Sequence, residues 1–250
     1  MPYLRLDDVS LALPIYDTVH RSITKTITDN IPIGGKIRVD ARRKSSILAL
    51  DRVSLSFKRG DRVALLGHNG AGKTSLLKVL AGFYEPTSGS RHVNGKVSAL
   101  LELVAGMDLN ITGYENIQLC GTLHGMRRQQ IVDRTESIAE FSELGSYLDL
   151  PVRLYSQGMI LRLAFSICTS IESDILLLDE WVGAGDKAFI DRAKNRLSEM
   201  VNRSSILVLA THSHDVAKNL CNKAMFLEHG RVIQTGNIDD VIEFQAECNH

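Results

Sequence analysis

Several stretches of this chain run apolar without interruption, among them Val63-Ala64-Leu65-Leu66, Ile175-Leu176-Leu177-Leu178, and the run that ends at Leu209-Ala210. Continuous apolar runs of strand length predict strands buried on both faces, the kind found in parallel sheets with covered faces. Elsewhere the pattern alternates. Tyr3 to Leu13, loosely alternating through Leu4, Leu6, Val9 and Leu11, predicts an opening strand, and Ile47 to Phe57, with Leu48, Leu50, Val53, Leu55 and Phe57 and alternating over its second half, predicts another. Apolar residues at helical spacing mark Ser75 to Ala81, stopped by Gly82, and Leu161, Leu163, Ala164 and Ile167. From Gly113 to about Leu150 the pattern is again helical, with Ile131, Ile138, Phe141 and Leu144 on one face and Pro151 closing the block. That block has the size of a helical subdomain inserted in an α/β core.

Punctuation supports this division. Lys58-Arg59-Gly60-Asp61 predicts a turn, and Pro86-Thr87-Ser88-Gly89 another, followed by short strands through Val97. Ile31-Pro32-Ile33 and Lys36-Ile37-Arg38-Val39, joined by Gly34-Gly35, predict a hairpin. Residues 14–30 are polar and Thr-rich and show no usable period.

Composition adds mainly exclusions. The 250 residues carry 29 basic and 29 acidic side chains, so no global field favours nucleic acid. No apolar run approaches the roughly 18–20 residues of a membrane span. Met1 to Tyr16 lacks a basic segment followed by an apolar stretch and is not a signal peptide. Cys120, Cys168, Cys221 and Cys248 are scattered, which predicts free thiols, mostly buried, in a reducing compartment. The expectation is a soluble cytoplasmic protein that can sit on a membrane through a partner.

The chemistry begins at Gly67-His68-Asn69-Gly70-Ala71-Gly72-Lys73-Thr74, which fits G-x-x-x-x-G-K-[ST] between a predicted strand and a predicted helix. Glycines let the backbone curl so that its N–H groups, and the positive end of the helix that begins near Ser75, face phosphate oxygens. Lys73 would reach the β- and γ-phosphates and the Thr74 hydroxyl would ligate Mg²⁺. At the end of the 175–178 run stand Asp179 and Glu180, at the strand end where ligands sit in open α/β sheets. Asp179 is placed to hold Mg²⁺ and Glu180 to polarise the attacking water; standing alone, two acids at a strand end would equally be a solvated terminus. Tyr155-Ser156-Gln157-Gly158-Met159 opens a helix, and Ser156 reads both as an N-cap and as a sensor of a γ-phosphate. Lys36, Arg38, Arg42, Arg43 and Lys44 form a basic cluster, either a solvated hairpin or a docking element for a membrane partner or anionic headgroups.

The order of these motifs resembles the nucleotide-binding subunit of ABC transporters: phosphate loop, helical insert, Ser-x-Gly signature, apolar strand with Asp-Glu. The resemblance runs from about Ile47 to Gly236. It implies an α/β, P-loop (RecA-like) ATPase core with an antiparallel β-subdomain and an inserted α-helical subdomain. It implies ATP and Mg²⁺ as ligands, and a head-to-tail homodimer in which Ser156 and Gly158 of one subunit complete the site of the other. Asp186, in Gly183-Ala184-Gly185-Asp186, stands at the family's cross-dimer loop, and His212 at its switch histidine, with His214 the competing candidate. The chain divides on this reading into an N-terminal extension (1–46), a β-rich part with the phosphate loop (47–100), a segment through the helical subdomain and signature (101–165), and a remainder (166–250), all of one ATP-binding domain.

Departures narrow the resemblance. Tyr155-Ser156-Gln157-Gly158-Met159 replaces the common Leu-Ser-Gly-Gly-Gln. With Arg162-Leu163-Ala164-Phe165-Ser166, Gly185-Asp186-Lys187-Ala188-Phe189 and Ile111-Thr112-Gly113-Tyr114-Glu115-Asn116-Ile117, it is similar to ATPase subunits of O-antigen (Wzt-type) and teichoic-acid exporters. Those imply a separate membrane permease, a lipid-linked polysaccharide cargo, and a peripheral position on the cytoplasmic face of the inner membrane. Glu102, in Leu100-Leu101-Glu102-Leu103, stands where the family has its Q-loop glutamine and is carried over as the candidate at the Mg²⁺ site; Tyr16 is the candidate to stack on adenine. About 14 residues follow Gly236, too few for the C-terminal carbohydrate-binding domain of some Wzt-type subunits. Two other readings remain beside this one: an ABC ATPase for a lipid or drug, and a soluble ABC-type factor acting on nucleic acid or ribosomes. Against the second stand the single cassette and the absence of net positive charge.

Overall fold

The structure, a computed structural model, describes residues 1–14, 36–39, 45–179 and 187–248. The chain divides into two units, one of Met1–Gly95, Leu177–Glu180 and Ser205–His250, the other of Lys96–Leu176 and Trp181–Ser204.

The first unit contains an antiparallel sheet of β1 (Tyr3–Pro14), β2 (Lys36–Val39), β3 (Ser45–Lys58) and β5 (Ser88–Asn94), in the order β2-β3-β1-β5. Its apolar alternation changes phase midway for a physical reason. Leu4 and Leu6 are buried, as are Val9 and Leu11, and the register slips between Leu6 and Val9, where Asp8 takes φ 49°. Opposite, Arg52 takes φ 52° between buried Leu50 and Val53. Each irregularity frees a backbone donor, and a serine from the neighbouring strand accepts it: Asp8 N–H donates to Ser54 Oγ at 2.9 Å and Arg52 N–H to Ser10 Oγ at 3.0 Å. The expected hairpin over Ile31–Val39 is described only in part. Lys36–Val39 is a strand whose partner is β3, with Ile37 opposite Ile47; Ile31–Ile33, Gly34-Gly35 and the Arg42-Arg43-Lys44 cluster lie outside the described residues.

A second sheet takes up the unbroken apolar runs. It includes β4 (Arg62–Leu66), β7 (Ile175–Asp179), β8 (Ile206–Ala210), β9 (Lys223–Glu228) and β10 (Arg231–Asn237), in the order β10-β9-β4-β8-β7. β4 runs parallel to β8 and β9, and β10 returns antiparallel. Val63 to Leu66 and all of β8 are buried, which is why those runs have no polar member. After β4 comes α1 (Lys73–Ala81), which buries Leu76, Leu77, Val79 and Leu80 and ends at Gly82, φ 83°, whose N–H bonds back to the Val79 carbonyl. Asp61, buried at the entry to β4, accepts from Lys58 N–H at 2.9 Å and from Lys223 Nζ at 2.7 Å, tying the turn before β4 to β9.

The second unit contains β6 (Val97–Leu100), α2 (Gly113–Leu123), α3 (Arg128–Ser142), α4 (Gln157–Thr169) and α5 (Lys187–Arg203), with 3-10 turns over Gly145–Asp149 and Val152–Leu154. The helical block expected from Gly113 to about Leu150 is therefore two helices and a tight turn. Thr112 starts it with a reciprocal cap: its Oγ1 accepts from Glu115 N–H, and the Glu115 carboxylate accepts from Thr112 N–H. Ile131, Ile138 and Leu144 share one apolar cluster with Leu163 and Ile167. Phe141, expected on the same face, belongs to another. It packs with Phe165 and Phe189, and Arg192 and Arg196 lie over its ring at 5.7 and 4.6 Å. One helix thus serves two clusters, with Phe141 at the edge of the stripe that Ile131 and Ile138 define. Among the described residues no helix is long and apolar enough to cross a membrane.

Candidate functional site

The residues after β4 form a loop whose shape depends on glycine. Gly67 has φ 144°, and a Cβ there would lie 2.3 Å from the Leu227 carbonyl oxygen; Gly72 has φ 106°, and its Cβ would lie 2.8 Å from the Ala49 carbonyl oxygen. The loop is pressed against β9 and β3 more closely than any side chain allows. Inside it, Ala71 N–H donates to the His68 carbonyl at 3.1 Å, and from outside Gly230 N–H donates to the Ala71 carbonyl at 2.9 Å.

Lys73, at the start of α1, is buried and turns its ammonium back into the loop, donating to the Gly67 carbonyl at 2.7 Å and the His68 carbonyl at 3.1 Å. Thr74 follows, and its Oγ1 donates to Asp179 Oδ2 at 2.6 Å. A residue from the loop and the last residue of β7 thereby meet. Around them lies a cavity of about 480 Å³, lined by Asn69, Gly70, Gly72, Lys73, Thr74, Ser75, Asp179 and His212, with Leu13, Ile47 and Ala49 on one side. That volume lies in the range of small-ligand sites, roughly 300–1,000 Å³.

Two features fit this cavity to a phosphate chain and a hard cation. α1 begins behind Gly72, so no side-chain oxygen caps its first N–H groups, and its first turn carries no acid. The helix starts at Thr112, Ser156 and Ser213 are each capped by a hydroxyl, whereas α3, which begins behind Arg127, like α1 has no side-chain cap at its start. The open end of α1 therefore presents donors and a positive dipole to the cavity beside the Lys73 ammonium. The Thr74 hydroxyl and the Asp179 carboxylate offer adjacent oxygen ligands, the donor type that Mg²⁺ takes.

His212, which follows β8 after Thr211, lines the cavity, whereas His214 heads α6 (His214–Leu220) with its Nε2 3.3 Å from Gln245 Oε1. His68 is exposed and is not among the lining residues; its ring meets that of His229 edge-on, centroids 5.2 Å apart. Glu180, Asp186 and Tyr16 lie outside the described residues. In the second unit Ser156 caps α4, its Oγ accepting from Met159 N–H at 3.3 Å, and with Gly158, Tyr147 and Arg162 it borders a separate shallow cavity of about 410 Å³. Glu102, also in that unit, is exposed just after β6, and its carbonyl accepts from Ala105 N–H at 2.9 Å. Sequence reasoning missed the apolar wall of Leu13, Ile47 and Ala49, which comes from the ends of β1 and β3 and carries no local motif. It also missed the Thr112–Glu115 cap, although T-x-x-E was there to be read.

Of the buried thiols, burial pushes Cys168 and Cys221 up to about 12, and burial raises Cys120 as well. None of these three is a reactive nucleophile at neutral pH. Cys248 is exposed.

Residues 50–183, more than half of the chain, match the family model described as ABC transporter. The chain is similar to the O-antigen export system ATP-binding protein RfbE of Yersinia enterocolitica, at 39% identity over 94% of this chain and 98% of the relative. It is 33% identical to the O-antigen export system ATP-binding protein RfbB of Klebsiella pneumoniae, over 99% of this chain and 98% of that one. The teichoic acids export ATP-binding protein TagH of Listeria innocua is 34% identical over 84% of this chain and 63% of its own length. In fold the chain is similar to an ATP-binding subunit of an ABC transporter, at TM-score 0.69 and 21% identity over 97% of this chain and 93% of that one. It is likewise similar to an ATP-binding cassette dimer in a post-hydrolysis state with ADP and Pi, at TM-score 0.66 and 18% identity over 94% and 98%. The cavity at Lys73, Thr74 and Asp179 is thus set in a chain that belongs to the ABC transporter family, with an ATP-binding domain of that family's fold.

Proposed function

We propose that this chain is the ATP-hydrolysing subunit of an exporter that moves a lipid-linked polysaccharide of O-antigen type across the cytoplasmic membrane. The observation that carries the ATPase part is the meeting of Thr74 with Asp179 beside the buried Lys73 ammonium, at the uncapped start of α1. The cargo rests on the relatives named for O-antigen and teichoic-acid export, two of which match almost end to end.

The residues divide the work. The loop amides and the start of α1 bind the phosphates, and Lys73 exchanges its loop carbonyls for the β- and γ-phosphate oxygens. Leu13, Ile47 and Ala49 form the apolar wall for the adenosine end, together with Tyr16. Thr74 and Asp179 would hold Mg²⁺, which would supply positive charge to the phosphoryl group during its transfer. Glu180 takes the proton of the attacking water, and His212 donates to the γ-phosphate. Ser156 and Gly158 of a second copy, set at the start of α4, complete the phosphate contacts, and Asp186 crosses between the copies. The dimer therefore closes on ATP and opens after hydrolysis. It drives a separate membrane permease from a peripheral position on the cytoplasmic face.

Nucleotide binding followed with a fluorescent ATP analogue tests the assignment. Lys73→Ala should weaken binding at least ~100-fold, since a charged contact to phosphate is removed from a closed loop. Ser156→Arg should leave analogue binding near that of the parent while abolishing turnover. Normal affinity in Lys73→Ala, or normal turnover in Ser156→Arg, would contradict the reading.

A further inference from the structure

On the outer side of the phosphate loop, His68, Glu228 and His229 each bring a ligand atom within 4.8 Å of the other two. Their placement is set by the backbone. Glu228 closes β9, Arg231 opens β10, and His229-Gly230 forms the two-residue turn between them. Both turn residues have positive φ, 47° at His229 and 77° at Gly230. Such turns favour Asn-Gly or Asp-Gly, so a histidine at the first position carries a backbone cost that asparagine would lessen.

The turn is also fixed against the loop. Gly230 N–H donates to the Ala71 carbonyl at 2.9 Å, and Asp51 N–H donates to the Gly230 carbonyl at 2.9 Å. A Cβ on Gly230 would lie 2.6 Å from the Ala49 carbonyl oxygen, so the approach is as tight as it can be.

One nitrogen of the His68 ring is held by the backbone. Its Nδ1 lies 2.7 Å from the Asn69 carbonyl oxygen, which can only accept. Nδ1 therefore carries a hydrogen, which in the neutral ring leaves the lone pair on Nε2. A carbonyl on the far nitrogen, fixing tautomer and ring orientation, is what supports metal-bound imidazoles generally. The two imidazoles face each other edge-on, ring centroids 5.2 Å apart.

We propose that His68, Glu228 and His229 bind a divalent transition-metal ion of the Zn²⁺ class, which clamps the phosphate loop to the β9–β10 turn. Two imidazole nitrogens and one carboxylate form a donor set for a borderline ion held with an open fourth position. Mg²⁺ prefers oxygen alone and is better served by Thr74 and Asp179. None of the three residues lines the nucleotide cavity, so the two ions do not compete for ligands. The clamp does not depend on the cargo of the exporter.

The full-length chain, stripped with chelator, is titrated with Zn²⁺ against a chromogenic competitor, and separately with Co²⁺ followed by its visible absorption. His229→Asn suits the left-handed backbone and Glu228→Gln keeps the shape of the side chain; both should retain the parent's ATPase rate in metal-free buffer apart from Mg²⁺. One equivalent of Zn²⁺ should bind the parent, with at least ~10-fold weaker binding in each variant. Zn²⁺ should raise the melting temperature of the parent and not of the variants. Co²⁺ should give the intense bands of a four-coordinate site in the parent alone. Equal Zn²⁺ uptake by parent and variants, no uptake at micromolar metal, or only the weak bands of hydrated Co²⁺ would each overturn the proposal.

Discussion

Asp179 Oδ2 accepts a 2.6 Å hydrogen bond from Thr74 Oγ1. The end of β7 and the first turn of α1 thus share one ligand position, although the two residues are far apart in sequence. Replacing either should remove Mg²⁺ binding while leaving the fold. We expect Asp179→Asn to lower the hydrolysis rate about 10²–10³-fold, the usual loss when a preorganised charge is deleted from a phosphoryl-transfer site. Steady-state turnover at saturating ATP, with Mg²⁺ varied, checks it. A rate within threefold (roughly 0.7 kcal/mol) of the parent would speak against the assignment.

Two glycines with positive φ should answer differently to alanine. Gly125 has φ 75° with nothing within 4 Å of its would-be Cβ, whereas the Gly67 position is 2.3 Å from the Leu227 carbonyl oxygen. Gly125→Ala should cost about 1 kcal/mol, the left-handed penalty alone. Gly67→Ala should force the loop off β9 and lose several times that, together with nucleotide binding. Paired denaturant melts separate the two cases; equal losses would mean that the close approach to β9 carries no weight.

Phe189 joins Phe141 and Phe165 in the second unit, with Arg162 over its ring at 5.1 Å and Arg192 at 5.8 Å. Glu143 accepts from both arginines, at 3.5 and 2.5 Å. Phe189→Ala should cost about 3–5 kcal/mol, from lost burial and the cavity left behind. Phe189→Leu should recover more than half of it. Melting of the two variants in parallel decides the point.

Burial disfavours the charged form of Asp61, but the hydrogen bonds from Lys223 and from Lys58 N–H outweigh it and hold its carboxyl below the ordinary range. A carboxyl lowered in the folded state stabilises above its unfolded value, near 3.9 on the usual scale, and that stability is lost as pH falls through the folded value. Asp61→Asn should therefore destabilise the protein by roughly 1–3 kcal/mol at pH 7. Its stability should also fall less steeply than the parent's below about pH 4. Unfolding curves at several acid pH values would show parallel slopes if Asp61 were uninvolved.

What was readable in the sequence was what is local. Gly67 to Thr74 is one contiguous segment, so its glycine spacing, lysine and hydroxyl declare the loop without any tertiary knowledge. The buried strands declared themselves through unbroken apolar runs. The alternation of β1 and β3 was blurred because Asp8 and Arg52 each insert a register slip, and the serines that accept the freed donors come from the opposite strand. Phe141 falls in a different cluster from the one its spacing predicts, because a single period cannot show that a helix faces two cores. The wall of Leu13, Ile47 and Ala49 and the meeting of His68 with His229 depend on strand pairing across long separations, which no window of sequence contains.

The central claim, that hydrolysis at this site powers polysaccharide export, is tested most directly by Glu180→Gln expressed in place of the native chain. Lipid-linked glycans are then extracted and the surface polymer is measured. Accumulation of lipid-linked polymer in the membrane fraction, with surface polymer lost and the variant co-purifying with a permease, is the expected result. Normal surface polymer in cells whose only copy carries Glu180→Gln would contradict it.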